Sequence, residues 1–406
     1  MSPAPGSPPR LLSIDEALAL VAAQVSALPA ESVELDDAYG RFLAEGMHAE
    51  IDLPPFPNSA MDGFALHAAD TPGSLGIVGE SAAGRPYRGA VESGQAIAIS
   101  TGAVVPSDAD AVVPVEDVTV RDGRLEVPAA VPTAEHVRGT GSDVRRGEPL
   151  LGAGTRIGPA QIGAAAAVGL RSLPCHRRPR VAILTTGSEL RAPGEKLGEG
   201  EIFDANGPML RAALRTAGAL VVQIPAAADT AEAHRVALEQ ALEHDVVITS
   251  GGVSVGDHDL VREVGRELGI RELFWRVALR PGKPLSFGVR ERTLVFGLPG
   301  NPVSTLVCFE LFVRPALLAS QGARHFQPAF ADGALGVAVR QNPRRDDLIR
   351  VRVARTGGLP VLTPVPGQQS HQIAVTAGAD ALARIPAGSG ELPAGAEVAY
   401  LPIHSF

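Results

Sequence analysis

Residues 245–259, DVVITSGGVSVGDHD, give the clearest indication of fold class in this 406-residue chain. The apolar run Asp245–Thr249 leads directly into a loop of glycine, serine and aspartate. Similar apolar runs lie at Val181–Leu184, Leu220–Ile224 and Thr293–Phe296, with helical stretches between them. Continuous apolar strands that alternate with helices are typical of a parallel sheet covered on both faces. We therefore predict a central, parallel, three-layer α/β domain.

Three of these predicted strands lead into loops of small residues, at 184–190 (LTTGSEL), 250–259 and 297–304 (GLPGNPVS). In a parallel sheet these loops lie at the carboxyl edge, where ligands bind. Glycine lets the backbone approach a ligand, and helix N-termini offer free N–H groups to an anion. One such loop is typical of an ordinary tight turn, but three at one edge indicate a site. No standard nucleotide-binding loop of the G-x-x-x-x-G-K-[ST] or G-x-G-x-x-G type is present.

Net charge, cysteine content and the lengths of the apolar segments argue against several classes of protein. The net charge of −9 argues against a general nucleic-acid or membrane-surface partner. The two cysteines have no metal-type spacing and fit a reducing compartment. We see no secretory leader and expect no segment that approaches a membrane span. A cytoplasmic protein that binds anions only through a local basic pocket is the expectation.

The regions outside the α/β core have different patterns. Ser13 and Glu16 form a capping box at the start of an apolar helix. Short strands and turns fill the stretch from about Leu43 to Asp143, which predicts a β-rich module. Short alternating segments return after about Arg324, and predict a small closing β-domain.

Acidic residues at turns and strand ends suggest a Mg²⁺ site, because this ion is bound by one or two carboxylates plus substrate phosphates. Taken singly, each acid is better explained as a cap or a solvated side chain, and Asp245 is expected to be only a turn residue. The acids in question are Asp62, Glu189, Asp204, Asp229, Asp257 and Asp259.

The basic counterpart is the stretch 275–284, WRVALRPGKP, which contains Arg276, Arg280 and Lys283. If Arg276 and Arg280 share a strand face, as period-two alternation allows, both could bind one dianion. The alternative is an edge strand that is protected from aggregation by its charges.

A hydrolase is the competing chemistry, because Gly252–Gly256 matches the G-x-S-x-G of a nucleophile elbow. An elbow serine follows its strand directly, whereas Ser254 lies several residues beyond Thr249. The flanking glycines and aspartates better suit a phosphate or metal loop.

Seven segments, in order along nearly the whole chain, resemble the molybdopterin molybdenumtransferase family, which includes MoeA and the gephyrin E-domain. They are 57–65 (PNSAMDGFA), 100–103 (STGA), 186–190 (TGSEL), 250–256 (SGGVSVG), 281–284 (PGKP), 297–302 (GLPGNP) and 367–371 (GQQSH). The resemblance implies four parts: an elongated, discontinuous dimerisation domain (1–42 with 143–176), a β-rich inserted domain (43–142), an α/β molybdopterin-binding catalytic domain (177–326) and a C-terminal β-barrel-like domain (327–406). It also implies a homodimer whose active sites are shared between subunits.

The implied activity is the insertion of molybdate into adenylylated molybdopterin, with Mg²⁺-dependent release of AMP. A contact with the molybdopterin adenylyltransferase is a further expectation. The resemblance makes Asp62, Thr101, Glu189, Asp229 and Asp259 the expected catalytic residues, with Asp229, Asp259 and Glu189 as metal ligands. The expected substrate-binding residues are Thr186, Gly187, Ser250, Gly251, Gly252, Ser254, Arg276, Arg280, Lys283, Pro299, Gly300, Asn301, Arg350 and Ser370.

Two departures from the family pattern matter. Arg276 and Arg280 stand where the family often has lysine, which replaces a point charge with a planar fork. Pro149 stands where the family often has an aspartate, and proline cannot ligate anything; Asp143 and Glu148 are the nearby acids that stay open as substitutes. A scaffold that binds a partner peptide without catalysis stays open, although peptide binding does not require the retained acids.

Overall fold

The computed structural model describes residues 11–224, 230–251, 260–355 and 357–403. The helices are α1 (Ile14–Ala22), α2 (Pro159–Ala167), α3 (Asn206–Thr216), α4 (Ala231–Ala241), α5 (Leu260–Glu267), α6 (Pro302–Cys308), α7 (Arg314–Ser320) and α8 (Ile373–Thr376). The strands are β1 (Ala30–Glu34), β2 (Met47–His48), β3 (Asn58–Ser59), β4 (Gly63–Leu66), β5 (Gly73–Ser81), β6 (Gln95–Ile99), β7 (Ala111–Pro114), β8 (Thr119–Arg121), β9 (Arg124–Val127), β10 (Val137–Arg138), β11 (Pro149–Leu151), β12 (Ser172–His176), β13 (Arg180–Thr185), β14 (Leu190–Arg191), β15 (Ile202–Phe203), β16 (Leu220–Ile224), β17 (Val246–Ser250), β18 (Arg271–Trp275), β19 (Leu279–Arg280), β20 (Ser286–Arg290), β21 (Thr293–Leu298), β22 (Ala331–Leu335), β23 (Val339–Arg340), β24 (Asp346–Ala354), β25 (Val361–Pro364), β26 (Ala381–Ile385), β27 (Glu391–Leu392) and β28 (Glu397–Pro402).

The chain forms two compact units. The first contains the described parts of Met1–Glu31, Gly40–Ala44 and Cys175–Phe406, and the second contains Ser32–Tyr39 and Glu45–Pro174. This division does not decide the four predicted domain boundaries, which remain predictions.

The centre of the first unit is a six-stranded sheet in the order β16-β13-β17-β21-β20-β18. The first four strands are parallel, as predicted, but β20 and β18 add an antiparallel edge that the sequence pattern did not predict. Alternate residues of β13 enter two cores: Val181 and Ile183 pack with α1, α3, α6 and α7, and Ala182 and Leu184 pack with α4 and α5. The sheet therefore has helices on both faces, which confirms the predicted three-layer α/β fold.

Helix α1 begins as predicted. The Ser13 hydroxyl accepts from the Glu16 N–H at 3.1 Å, and the Glu16 carboxylate accepts from the Ser13 N–H at 2.8 Å. The apolar face that follows, with Ile14 and Leu18, enters the larger of the two α/β cores. The capping box thus stabilises the N-terminus of the helix, and the apolar face of the helix packs against the sheet.

Asp245 has a larger structural role than the predicted turn residue. Its carboxylate accepts two hydrogen bonds from the Arg177 guanidinium, at 2.6 and 2.7 Å, and one from the Arg180 N–H at 2.8 Å. These bonds join the starts of β13 and β17. Burial raises the pKa of the Asp245 carboxyl, but the hydrogen bonds from Arg177 and Arg180 outweigh it and hold that pKa below its ordinary value.

One helical run, Pro302–Ser320, passes through α6, a π-helical turn at Phe309–Val313 and α7. Its 19 residues are long and apolar enough to cross a membrane by length and composition alone. The run contains Glu310 and Arg314, so it is not the continuous apolar segment that the sequence analysis expected to be absent. In addition, 78% of its most apolar window is buried inside the protein, as in the core helix of a globular domain.

The C-terminal part of the first unit confirms the predicted closing β-domain. Strands β24, β25, β22, β28 and β26 pair in that order, and β26 pairs back to β24, so the five strands close into a barrel. Strand β19 pairs alongside β24. Arg350 lies in β24 and is fully buried.

The second unit is built around a six-stranded sheet in the order β7-β4-β6-β5-β9-β8. The predicted strands at 95–100 and 111–115 correspond to β6 and β7. Side chains on its two faces form separate cores, one around Leu66 and Leu125, the other around Ile97 and Val112. This is the β-rich module that the sequence predicts.

Candidate active site

The described residues of the three predicted loops lie together at the carboxyl edge of the α/β sheet; of the second loop these are Ser250 and Gly251. The Thr186 N–H donates to the Ser250 carbonyl at 3.0 Å, and the Gly251 N–H donates to the Leu298 carbonyl at 3.4 Å. Each bond joins the first residue after one strand to the last residue of the neighbouring strand, which extends the pairing of β13, β17 and β21.

The loops surround a cleft of about 570 Å³. This volume is within the range of sites for small molecules and cofactors. The described lining residues are Thr186, Gly187, Ser188, Glu189, Leu190, Ile202, Asn206, His234, Ser250, Gly251, Leu260, Val261, Pro284, Pro299, Gly300 and Asn301. Seven of the predicted substrate-binding residues are therefore brought together here, and so is the predicted catalytic residue Glu189.

Gly251 is required by the close approach of two loops. Its φ is +94°, and an added Cβ would lie 2.4 Å from the Thr186 carbonyl oxygen. No side chain fits at that distance, and L-residues rarely adopt such a φ. By contrast, a Cβ on Gly300 would meet no atom closer than 3.8 Å, so the backbone alone does not require glycine there.

Asn206, at the start of α3, is a site residue that the sequence analysis missed. Its Nδ2 donates to the Ser250 hydroxyl at 2.9 Å and to the Gly300 carbonyl at 2.7 Å, so one side chain joins two of the loops. Its Oδ1 and the Thr186 hydroxyl are buried, and neither has a hydrogen-bond partner in the described structure. Unsatisfied buried polar atoms are costly and are consistent with a ligand site. The only sequence signal was an asparagine at a helix start, where a cap is the ordinary explanation.

The predicted metal ligands are only partly described. Glu189 is exposed in the cleft. Asp229 and Asp259 lie outside the described residues, as do Gly252, Ser254 and Asp257. Among the residues that are described, no three His, Cys, Asp or Glu side chains form a metal-binding cluster. Asp204 caps a turn, since its carboxylate accepts from the Gly207 N–H at 2.9 Å.

Arg276 and Arg280 do not share a strand face, so that expectation is wrong. Strand β18 ends at Trp275, Arg276 has a φ of +80°, and the next strand contains only Leu279 and Arg280. The Arg276 guanidinium lies 3.6 Å from the centre of the Trp275 ring, which is a cation–π distance. The reversed backbone at Arg276 interrupts the period-two alternation on which the prediction depended.

Arg280 forms an ion pair with Asp347. The Asp347 side chain is 3% exposed, whereas that of Arg280 is 53% exposed. Burial raises the pKa of the Asp347 carboxyl, while the charges of Arg280 and Arg345 lower it, and the net shift is upward. Lys283 is partly buried beside Pro284, which lines the cleft.

Arg350 and Ser370 lie at the C-terminal barrel. Arg350 Nη2 donates to the Gly367 carbonyl at 2.7 Å and to the Gln369 carbonyl at 3.3 Å. The other two guanidinium nitrogens, Nε and Nη1, are buried and have no hydrogen-bond partner among the described residues. Burial lowers the pKa of this guanidinium. The Ser370 carbonyl accepts from the Val303 N–H at 3.1 Å, so the segment after Gly367 reaches the start of α6.

Asp62 and Thr101 lie together in the second unit. The Asp62 carboxylate accepts from the Thr101 N–H at 2.7 Å, and both residues are exposed. Pro149 pairs with His48 between β11 and β2, and the Glu148 carboxylate accepts from the Arg145 N–H at 2.9 Å. Glu148 is thus used in a local turn.

Comparison with known proteins identifies the family. The MoeA N-terminal region (domain I and II) matches residues 12–169, the probable molybdopterin binding domain matches 182–319, and the MoeA C-terminal region (domain IV) matches 332–403. The chain is 34% identical over 386 residues to molybdopterin molybdenumtransferase 2 of Mycobacterium tuberculosis, with 86% of this chain and 95% of that protein covered.

Two further relatives support the same assignment. The molybdopterin molybdenumtransferase of Haemophilus influenzae is 34% identical over 322 residues, which cover 78% of this chain and 80% of that protein. The crystal structure of the molybdopterin biosynthesis MoeA protein from Pyrococcus horikoshii has a TM-score of 0.83 and 28% identity, with 97% of this chain and 100% of that chain covered. The chain therefore belongs to the MoeA family of molybdopterin molybdenumtransferases and is a transferase of molybdenum cofactor biosynthesis.

Proposed function

We propose that the protein inserts molybdate into adenylylated molybdopterin and releases AMP in a Mg²⁺-dependent reaction. The observation that carries the proposal is the cleft at the carboxyl edge of the sheet, where three strand-to-helix loops meet and Asn206 joins two of them. Family membership supplies the class of substrate, and this cleft is the proposed place for it.

The cleft suits the pterin part of the substrate. Its lining combines backbone at glycine residues with a few buried polar groups, and its volume of about 570 Å³ accommodates a fused heterocycle. The close approach of Gly251 to Thr186 leaves the floor of the cleft as backbone, so a flat ring could lie against it.

Arg350 and Ser370 are the proposed contacts for molybdate or phosphate oxygens. A buried guanidinium with two unpaired nitrogens and no carboxylate partner in the described structure has unused donors and an uncompensated charge. An oxyanion would accept hydrogen bonds from the unused donors and neutralise the charge. Since both nitrogens are buried, an anion reaches them only if neighbouring atoms move.

Arg276, Arg280 and Lys283 are proposed to attract the anion mainly by charge. Arg276 is stacked on Trp275 and Arg280 is paired with Asp347, so each guanidinium would have to move before it could make a bidentate contact with an anion. Attraction of the anion by charge requires less rearrangement than direct binding of one dianion by both arginines.

The donor set fits Mg²⁺. Glu189 presents an exposed carboxylate in the cleft, and Asp259 directly precedes Leu260, which also lines it. One or two carboxylates together with substrate phosphates are how proteins usually hold this ion. Asp229 and Asp259 would hold it with Glu189, and bound Mg²⁺ would polarise the phosphoanhydride.

The proposal is tested by AMP release from adenylylated molybdopterin. We expect release from the purified protein only when molybdate and Mg²⁺ are both present. Release that needs neither, or no release under any condition, contradicts the proposed reaction.

We also propose that the protein is a cytoplasmic homodimer that receives its substrate from the adenylyltransferase. The net charge of −9 and the two buried free cysteines support a reducing, aqueous compartment. Asp62 and Thr101 would complete an active site that contains Glu189, with the two contributions coming from different subunits.

Mixed dimers test the shared site. Asp62→Ala and Glu189→Ala should each be inactive alone. In a mixed dimer one site combines both intact contributions and the other carries both defects. Random pairing makes about half of the dimers mixed, so roughly a quarter of all sites should recover. Native mass spectrometry confirms that mixed dimers form, and if they show no gain in activity, the shared site is refuted.

A further inference from the structure

His234 is a buried histidine in the cleft to which the proposed reaction gives no role. It lies on α4, is 4% exposed and lines the cleft between the sheet edge and α5. Its Nδ1 lies 2.9 Å from the Thr230 carbonyl oxygen. A carbonyl can only accept a hydrogen bond, so Nδ1 carries a proton. In the neutral imidazole Nε2 then presents a lone pair, and no described residue hydrogen-bonds to it.

The rest of the lining is also rich in acceptors. Asn206 uses both protons of its amide on Ser250 and Gly300, which leaves Oδ1 as an unpaired acceptor, and the Thr186 hydroxyl is unpaired as well within the described residues. No lysine or arginine occurs among the described lining residues. The neighbouring stretches 225–229 and 252–259 contain none in their sequence.

This chemistry favours a ligand that donates hydrogen bonds over a ligand that carries negative charge. Away from a bound Mg²⁺, a phosphate or molybdate oxygen would find no cation among the described lining residues and would approach the Glu189 carboxylate. The N–H groups of a nitrogen heterocycle would instead pair with the free acceptors and remove their desolvation cost.

We infer that His234 is a substrate-binding residue, whose Nε2 accepts an N–H from a nitrogen heterocycle of the substrate. The inference rests on the proposed function, in which the substrate contains a pterin and an adenine. Both rings offer N–H donors, so the chemistry is shared and experiment must distinguish them. The contact orients the ring and takes no part in bond making or breaking.

A contact to a part of the substrate that does not react contributes equally to ground-state and transition-state binding, so its loss should raise KM and leave kcat unchanged. For His234→Leu we expect KM to rise about tenfold, the usual effect of one buried hydrogen bond. His234→Gln carries an amide acceptor near the position of Nε2, so its KM should lie between those of the wild type and His234→Leu.

His244 provides a matched control. It lies just beyond the C-terminal end of α4, is 8% exposed, and its Nδ1 is 3.2 Å from the Ala241 carbonyl oxygen. It is absent from the described cleft lining. His244→Leu therefore removes a similar buried imidazole and should leave KM at the wild-type value.

The experiment measures kcat and KM for AMP release, and titrates AMP and 6-hydroxymethylpterin separately into wild type and all three variants by calorimetry. Weaker binding of the pterin alone in His234→Leu assigns Nε2 to the pterin, and weaker binding of AMP alone assigns it to adenine. Unchanged KM and unchanged affinity for both rings overturn the inference, as does an equal defect in His244→Leu or a loss confined to kcat.

The histidine contact and the proposed reaction can fail separately. Wild-type AMP release with no effect of His234→Leu on KM or affinity refutes the histidine contact and leaves the proposed reaction standing. Absence of wild-type AMP release, with ring binding that still depends on His234, refutes the reaction and leaves the contact standing.

Discussion

Replacing Arg280 by alanine should destabilise the first unit and need not abolish anion binding directly. The guanidinium pairs with Asp347 Oδ2, the Asp347 side chain is 3% exposed, and Asp347 Oδ1 has no hydrogen-bond partner in the described structure. Arg280→Ala would leave a buried carboxylate without its main counter-charge. Loss of activity in this variant could then result either from unfolding or from a lost substrate contact, and an activity assay alone does not distinguish them.

The burial of the two partners sets the size of the effect. Breaking a fully buried ion pair from one side costs about 3–5 kcal/mol, and an exposed pair contributes roughly 0.2–1 kcal/mol. The Arg280 side chain is 53% exposed, so water already solvates much of its charge. We therefore expect a loss of about 2 kcal/mol in the free energy of unfolding at neutral pH.

The pH dependence follows from the raised pKa of Asp347. A carboxyl whose folded-state pKa is raised stabilises the fold at low pH, and that contribution is lost as the pH rises through the raised pKa. Arg280 offsets part of this loss. The destabilisation in Arg280→Ala should therefore be largest at neutral pH and shrink on acidification, as Asp347 becomes protonated.

The assay uses the single tryptophan, Trp275, whose fluorescence reports unfolding of the same unit. Urea unfolding and AMP release are measured for Arg280→Ala, Arg280→Lys, Asp347→Asn and the double variant Arg280→Ala with Asp347→Asn. The lysine variant keeps a cation and should retain most stability and activity.

The double variant separates the two roles. It removes the buried charge together with its partner, so stability should largely recover. If activity recovers with it, Arg280 serves only Asp347; if activity stays lost, Arg280 also binds the anion. A stable Arg280→Ala protein, within about 0.5 kcal/mol of wild type, would refute the reasoning from burial.

Three further changes test the site and its framework. Gly251→Ala should disrupt the cleft and lower the thermal midpoint, because its Cβ would lie 2.4 Å from the Thr186 carbonyl oxygen. Gly300→Ala, where a Cβ has space, should keep a near-wild-type thermal midpoint. Equal midpoints for the two variants would contradict this steric difference. Asp259→Asn should lose Mg²⁺-dependent AMP release, because the proposed metal ligand is removed. Its thermal midpoint should not change, because the carboxylate is proposed to act in metal binding and not in folding. Near-normal turnover would exclude Asp259 as a metal ligand. Asp245→Asn should lower the free energy of unfolding by about 2 kcal/mol at neutral pH, because its hydrogen bonds are charge-assisted. The carboxyl pKa is lowered in the folded state, so this contribution is lost as the pH falls through that pKa, and urea titrations at several pH values should show the difference from wild type narrowing in acid.

Local sequence patterns were enough to predict the elements that carry the site. Apolar runs at 181–184, 220–224, 245–249 and 293–296 all lie in strands of one sheet. Their adjacency to small-residue loops predicted a site at one edge, and the described residues of those loops lie together there. The capping box at Ser13 was equally local, since its two hydrogen bonds span three residues.

Errors arose where a prediction assumed that a local pattern continues. The spacing of Arg276 and Arg280 suggested one strand face, but a backbone reversal at Arg276 separates them. A pattern of residue types does not contain the dihedral angles or the neighbours that decide such cases.

The order and type of the main elements, and the family to which the chain belongs, can therefore be predicted from the sequence, because these depend on periodicity and on contiguous motifs. Which polar atoms lie unpaired in the cleft depends instead on tertiary packing. Asn206 bonds to residues 44 and 94 positions away, and Arg280 pairs with a carboxylate in another strand. His234 lines the cleft only because α4 packs against the sheet beside it. Such long-range contacts depend on how whole elements pack, and no local propensity encodes them.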